Sequence, residues 1–451
     1  MMKNILKKIL PKKVLNYKHF LYAFFGALKY GFPSNKILVI GVTGTSGKSS
    51  TIYLMRQIME YSGLKVGALT TIDFYVNGEE KLNDQKMTML GKMKIHKYLR
   101  EMVDKKCDVA IIEVTSEGVV QHRHRFINFD TVLLTNLYPE HIESHGSFEN
   151  YKQAKLDFFN YVASSPKKQN TNNNLSIFSP IEKTCIVNAN NEHSTEFINP
   201  KFNSMWTFGR KNKVIIDTRD LSEIMAKDIK IDEKGLHFEI KDRKFDVKMF
   251  GEHNIMNITA AICAARTIDI NWKTIEDATR NFKPIPGRIE FITEAEKLGF
   301  QVIVDYAFEP VALKSLYKVV DLIGPERIIH VCGSTGGGRD KSRRIPIGKL
   351  VGEKADIFII TDEDPYDEDP VEIINAVSTG AEEVGMEIGK NLFKILDRKE
   401  AINKAIDMAE SGDLILITGK GSEQAMCIQN GKMIDWDDRK IVRKAIKEKM
   451  K

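Results

Sequence analysis

The chain has 451 residues, 42% hydrophobic and 28% charged, which is ample for two or three packed domains and close to the balance of an ordinary soluble protein. Five cysteines (Cys107, Cys185, Cys263, Cys332, Cys427) stand far apart with no C-x-x-C pair. This argues against a disulfide framework or zinc ribbon and fits buried thiols in a reducing, cytoplasmic setting. The net charge of +6 is uneven: residues 1–36 hold eight lysines and no acid, so the rest carries −2, which argues against a nucleic-acid surface.

In chain order, the basic segment leads into an apolar run over residues 19–28. The run is too short to cross a bilayer and has no small-residue cleavage site, so it reads as a short helix. Three placements are open for it: docking on the following domain, lying on an anionic membrane face, or joining a dimer. Residues 36–42 form a β-branched run read as a buried strand, then a Gly-rich turn, then a helix from 49 to about 61. Two more buried strands are expected over 109–114 and 131–135. Strands alternating with helices imply a mostly parallel sheet covered on both faces. Residues 165–176 are polar and low in complexity and read as an exposed loop.

Pro284 and Pro286 mark a second boundary. Strands resume over 301–305, 327–331, 357–361 and 414–418, with helices between them, as a separate Rossmann-like unit. A Lys/Arg-rich helix from about 439 reads as a solvated surface element. The fold class is therefore α/β. A short basic helical segment (1–36) precedes a central P-loop ATPase domain with a mostly parallel sheet (37–287) and a C-terminal Rossmann-like domain (288–451).

Gly44-Thr45-Ser46-Gly47-Lys48-Ser49-Ser50 follows the first strand and opens a helix. In that setting backbone N–H groups and the helix N-terminus cradle phosphate oxygens. Lys48 reaches the β/γ-phosphates and the Ser49 hydroxyl ligates Mg²⁺. Strict Walker spacing would place glycine where Val42 stands, with Gly41 and Gly44 bracketing it. The loop signals a nucleoside triphosphate without saying what it is used for.

From this loop onward the chain resembles the Mur ligases, and among them the muramyl-tripeptide synthetase branch. The resemblance rests on ordered blocks: the phosphate loop itself, 113–123 (EVTSEGVVQHR), 135–146 (TNLYPEHIESHG), 149–155 (ENYKQAK), 251–257 (GEHNIMN), 286–290 (PGRIE), 304–307 (VDYA), 336–341 (GGGRDK) and 419–423 (GKGSE). It implies an ATP-dependent ligase that joins a muramyl-peptide-type carboxylate to an amino acid through an acyl phosphate. By resemblance Ser49 and Glu113 hold one Mg²⁺, His141 helps hold a second, and Lys155 matches a carbamylated lysine. His145 is read as structural. Asn136 belongs with the phosphate loop, Asn254, Asn257 and Asp305 with the adenine–ribose end, and Arg288 with the phosphates. Thr115, Gln121 and Arg123 match acceptor contacts, while Arg339, Glu363, Asp364, Gly419 and Glu423 match the amino-acid site. The chemistry needs such a set, because carboxylate, ATP and transition state are all anionic and cations must offset their repulsion.

Four departures qualify the resemblance. The phosphate loop starts about forty residues in, leaving no room for the family's uridine-binding domain, so a lipid-linked or UDP-free acceptor, a partner or a membrane contact through 1–36 comes into view. The amino-acid selector reads Glu363-Asp364-Pro365-Tyr366, without the arginine that pairs a distal carboxylate, which favours lysine, ornithine or another side chain unless Arg343 or Arg344 compensates. Phe308 and Ser422 each replace a family histidine. The alternatives are a folylpolyglutamate- or cyanophycin-type ligase, against which Gln121 and Arg123 speak, and a P-loop ATPase or nucleotide switch that makes no bond.

Overall fold

The computed structural model describes residues 12–83, 87–91, 93–140, 145–175, 179–198, 201–338 and 341–451. The chain forms two compact units. The first runs to Asn83, continues over Met87–Lys248 and closes with Glu252–Phe282; the second holds Met249–Gly251 and Lys283–Lys451.

The first unit opens with helix α1 (Lys12–Lys29) and is built on an 11-stranded sheet. Its strands are β1 (Leu38–Thr43), β2 (Val66–Leu69), β3 (Asp73–Val76), β4 (Glu79–Leu82), β5 (Val109–Glu113), β6 (Thr131–Leu134), β7 (Thr184–Asn188), β8 (Ser204–Arg210), β9 (Ser222–Asp232), β10 (Gly235–Ile240) and β11 (Arg243–Val247). The order is β11-β10-β9-β8-β7-β6-β1-β5-β2-β3-β4. Strands β2, β5, β1, β6, β7, β8 and β9 pair in parallel, and antiparallel hairpins finish both edges. Strand order turns around at β1, with β5 on one side and β6 on the other. Ligands of open α/β sheets bind at the carboxyl ends of strands at such a switch point.

The residues explain why β1 sits at the centre. Leu38–Thr43 is buried on both faces, as a parallel strand covered by helices must be. Gly41 is fitted closely to its neighbours, since a Cβ there would stand 2.6 Å from the Phe158 ring and 3.0 Å from Phe129. The missing side chain lets the helix Phe148–Ala163 lie close on the sheet. Lys155 stands one turn before Phe158 on that helix, so the packing of Phe158 also aims Lys155 at the end of β1.

The second unit has a six-stranded sheet in the order β12-β13-β17-β14-β15-β16 and a separate hairpin, β18-β19. These are Glu290–Phe291, Gln301–Asp305, Arg327–Cys332, Ile357–Ile360, Leu392–Lys394, Asp413–Thr418, Ala425–Ile428 and Lys432–Asp435 for β12 to β19 respectively. In β17, Ile415 and Ile417 enter one apolar cluster and Leu414 and Leu416 the other, so alternate residues feed cores on both faces. Each such buried side chain is worth about 1.5–3 kcal/mol relative to exposure.

Two expectations need correction. Residues 165–175 are irregular but not simply exposed: Lys168 is buried and donates to Asp130 at 2.6 Å, and the Asn172 and Asn174 amides both reach Asp108 Oδ1, at 2.8 and 2.9 Å. Asp130 also accepts from the Val39 N–H and from Lys183, so this loop ties into the base of β1. The helix Asp438–Lys449 is not a free surface element, since Asp438, Arg439, Val442, Ala445 and Ile446 are buried. All five cysteines are free and buried. No described helix is long and apolar enough to cross a membrane.

Candidate active site

The phosphate loop leaves β1 at Thr43 and enters the helix Lys48–Tyr61, with Gly47 at φ +75° as its cap. Glycine is required at two points: Gly44 has φ +149° and a Cβ there would strike the Thr135 hydroxyl, while one at Gly47 would stand 2.5 Å from Asn257 Oδ1. Asn136 staples the loop. Its Oδ1 accepts from the Thr45 and Ser46 N–H groups at 3.2 and 2.9 Å, and its amide donates to Ser46 Oγ at 3.1 Å. Thr135 donates to the Ser46 carbonyl at 2.7 Å, and Tyr151 donates to Thr45 Oγ1 at 3.1 Å. Lys48 Nζ folds back onto the Gly44 and Thr45 carbonyls at 3.1 and 2.9 Å. Asn257 accepts from Thr51 at 3.3 Å and donates to Asn254 at 2.9 Å, so both asparagines stand beside the opening turn of the loop's helix.

Glu113 ends β5, opposite Val42 in the register with β1. Its buried carboxylate accepts from Ser49 Oγ at 2.7 Å and from the Thr71 N–H at 2.9 Å, with Thr71 Oγ1 3.1 Å from each oxygen. The phosphate-loop hydroxyl and the strand-end carboxylate therefore meet, an oxygen pair suited to Mg²⁺ beside a bound phosphate. Lys155 is 1% exposed; its Nζ donates to the Gly44 carbonyl at 2.9 Å and lies 4.5 Å from the Tyr151 ring centre. Burial drives its pKa well below the ordinary lysine value, Lys48 adds to the shift, and Glu140 and Glu113 oppose it in part. His145 meets the Ser116 hydroxyl at 3.0 Å. His141 lies outside the described residues.

Thr115, Gln121 and Arg123 are brought together by the short helix Ser116–Val120. Thr115 caps it, accepting from the Gly118 N–H at 3.1 Å. Gln121 donates to Glu117 at 2.9 Å and accepts from Arg123, whose other guanidinium nitrogen donates to the Met89 carbonyl.

In the second unit Lys420 is the hub. Its fully buried ammonium donates to Asp364 at 2.8 Å, to the Ala425 carbonyl at 2.8 Å and to Glu423. Asp364 also accepts from the Cys427 N–H at 2.6 Å. Glu363 accepts from Thr335 at 2.7 Å, burial raises its pKa, and it crowds Gly419, which at φ +105° has no room for a side chain. Tyr306 joins Glu423 at 3.3 Å, and the Arg288 guanidinium lies over the Tyr306 ring at 4.1 Å. Asp305 accepts from the Ile289 and Ala307 N–H groups at 2.7 and 2.8 Å. Arg344 donates to Glu368 at 2.9 Å, so it is already committed as a carboxylate partner. Arg339 lies outside the described residues.

The model of the Mur ligase middle domain matches residues 42–265, and that of the Mur ligase glutamate ligase domain matches 287–421. The chain belongs to the Mur ligase family. It is 31% identical over 423 residues to UDP-N-acetylmuramoyl-L-alanyl-D-glutamate–2,6-diaminopimelate ligase of Clostridium botulinum, covering 93% of this chain and 80% of that one. It is 32% identical over 429 residues to UDP-N-acetylmuramyl-tripeptide synthetase of Borreliella burgdorferi, covering 94% and 79%. Among solved structures it resembles folylpolyglutamate synthase of Mycobacterium tuberculosis, with TM-score 0.64, 14% identity and coverage of 89% and 92%. A UDP-N-acetylmuramoyl-L-alanyl-D-glutamate–2,6-diaminopimelate ligase structure gives TM-score 0.58 at 24% identity, over 92% and 79%. These two likenesses show the fold. As a Mur ligase the protein is an ATP-dependent ligase that forms an amide bond.

Sequence reasoning missed several residues that build the candidate sites of the two units. Thr71 holds Glu113, Tyr151 and Thr135 hold the phosphate loop, and Thr335 and Lys420 build the acidic cluster of the second unit. Thr135, Tyr151 and Lys420 carried a signal, each standing inside one of the ordered blocks, whereas Thr71 and Thr335 stand outside them.

Proposed function

We propose that this Mur ligase joins the carboxylate of a muramyl-peptide-type acceptor to an amino acid. A carboxylate oxygen attacks the γ-phosphorus of ATP, the bond to the β-phosphate oxygen breaks, and ADP leaves. The amine of the amino acid then attacks the acyl carbon, expels phosphate and loses a proton. The phosphate-loop N–H groups and Lys48 orient the triphosphate. Ser49 and Glu113 would hold Mg²⁺, which supplies positive charge against the phosphate oxygens; His141 is the candidate for a second ion. Thr115, Gln121 and Arg123 would place the acceptor. Glu363, Asp364, Gly419 and Glu423, with Arg339, would place the amino acid, Glu423 facing its ammonium group. The observation that carries the reading is the 2.7 Å contact between Ser49 and Glu113 at the mouth of the phosphate loop. An acceptor-by-amino-acid matrix scored by ADP release and product mass tests it. Amide appearing with one or more pairs supports the reading, and ADP release without amide in every pair defeats it.

Three finer points rest on particular residues. Lys155 is read as carbamylated, because its burial favours the neutral amine that adds CO₂; a ¹³C-bicarbonate-dependent carbamate signal, absent from Lys155→Ala, tests this. Tyr366 at the selector position and the commitment of Arg344 to Glu368 favour an amino acid without a distal carboxylate. The outer face of α1 exposes Tyr17 (64%), Phe25 (50%) and Leu28 (55%), with Lys18 and Lys29 also exposed. That face, with the lysines of 1–36, supports peripheral contact with an anionic membrane surface. Equal sedimentation with phosphatidylglycerol and phosphatidylcholine vesicles would end that reading.

A further inference from the structure

The inner face of α1 borders a small cleft lined by His19 and Tyr22 from α1 and by Leu90, Met93, His96 and Arg123. The helix is held there tightly. Phe20 and Phe24 meet Phe126 edge-on at 5.1 and 5.4 Å. A Cβ on Gly26 would stand 2.9 Å from the His96 ring and 3.0 Å from Met93 Cβ, so α1 lies against the helix Lys94–Asp104 with no side chain between.

The chemistry of this cleft is one-sided. Among the described residues no acid lines it, while His19, Tyr22, His96 and Arg123 all bring N–H or O–H groups. His96 is 2% exposed, and neither of its ring nitrogens has a hydrogen-bond partner; the Arg125 backbone lies near without closing one. Arg123 Nε is likewise buried and unpartnered, although both terminal nitrogens are engaged. Burial pushes the His96 imidazole down to about 4, so it stands as a neutral donor at physiological pH. Unpartnered donors in a buried site are costly unless a ligand satisfies them. The cleft is far too small to enclose a whole substrate and admits at most one small group of a larger ligand.

We infer that α1 is part of the acceptor site, His19 and Tyr22 joining His96 and Arg123 to bind an oxyanion that the acceptor carries away from its reacting carboxylate. This rests on the proposed ligase reading and extends it, because Arg123 then serves two walls of one site. It assigns the N-terminal helix a role in choosing the acceptor. The oxyanion is a carboxylate of the peptide or a phosphate of a nucleotide-sugar end, two sources of one chemistry that the probes below separate.

The test uses the full chain and calorimetric binding of two probes, UDP-N-acetylmuramoyl-L-alanyl-D-glutamate and the same muramyl dipeptide without UDP. His19→Ala is expected to weaken acceptor binding and raise acceptor KM about tenfold, with kcat and the KM for ATP unchanged. Tyr22→Phe should weaken it less, and Tyr17→Ala, on the outer face of α1, not at all. Weakening toward both probes assigns the oxyanion to the peptide; weakening toward the UDP-bearing probe alone assigns it to phosphate. If His19→Ala lowers Tm, His19→Gln is read in its place. Wild-type affinity in the folded His19 and Tyr22 variants overturns this inference and leaves the ligase reading intact. Wild-type protein that binds neither probe overturns the muramyl-peptide acceptor reading on which this inference rests.

Discussion

The two sites of the chain are built in opposite ways. In the first unit a contiguous loop is shaped by backbone: Gly44 and Gly47 take conformations that other residues avoid, and Asn136, Thr135 and Tyr151 hold them. In the second unit the site is made of charges that neutralise one another, with buried Lys420 shared between Asp364 and Glu423 and buried Glu363 beside them. A backbone cradle is ready before its ligand arrives, whereas on the proposed reading the charge cluster would exchange partners with the ammonium and carboxylate of an amino acid. Substitutions in the first unit should therefore cost activity at little cost in stability, and those in the second should cost both.

The largest expected effect tests the first half of that contrast. Glu113→Gln keeps the shape but removes the charge and turns one acceptor oxygen into a donor, so kcat/KM should fall about 10³-fold while Tm stays within a few degrees, read by a coupled ADP assay and a thermal scan. Lys420→Met tests the second half: it leaves Asp364 and Glu423 without their shared cation and should cost about 3–5 kcal/mol in urea unfolding, together with amino-acid affinity. A Lys420→Met protein of wild-type stability would break the contrast. Thr71→Val sharpens the first half, removing one hydroxyl from Glu113 while keeping the backbone donor, and should raise the Mg²⁺ requirement about tenfold.

The smallest effect concerns pH. Burial raises the Asp362 carboxyl to about 6. Between about pH 4, the ordinary carboxylate value, and pH 6 the folded chain keeps a proton that the unfolded chain has lost, so stability falls as pH rises through that window. Asp362→Asn should flatten that fall by about 1.5 kcal/mol, discounted for partial exposure, and be the more stable protein above pH 6. Unfolding curves at pH 4, 5, 6 and 7 decide it.

The same contrast governs what the sequence shows. The phosphate loop and its strand are local, so Gly-Lys-Ser after 36–42 reveals them, and the parallel strands announce themselves as β-branched runs. The edge strands β4, β9 and β11 are more polar, and their exposed residues carry a weaker signal. Thr71 escapes because its contact with Glu113 spans forty-two positions, and Lys420 because its partner Asp364 lies fifty-six positions away. Lys168 misleads most, since a polar, low-complexity stretch gives no hint that its lysine turns inward to Asp130.

The central claim is that ATP phosphorylates the acceptor's carboxylate before the amine arrives. Acceptor labelled with oxygen-18 in that carboxylate, turned over with ATP and an amino acid, tests it directly. Transfer of one labelled oxygen into the released phosphate is the result predicted. Amide formed with unlabelled phosphate would contradict it.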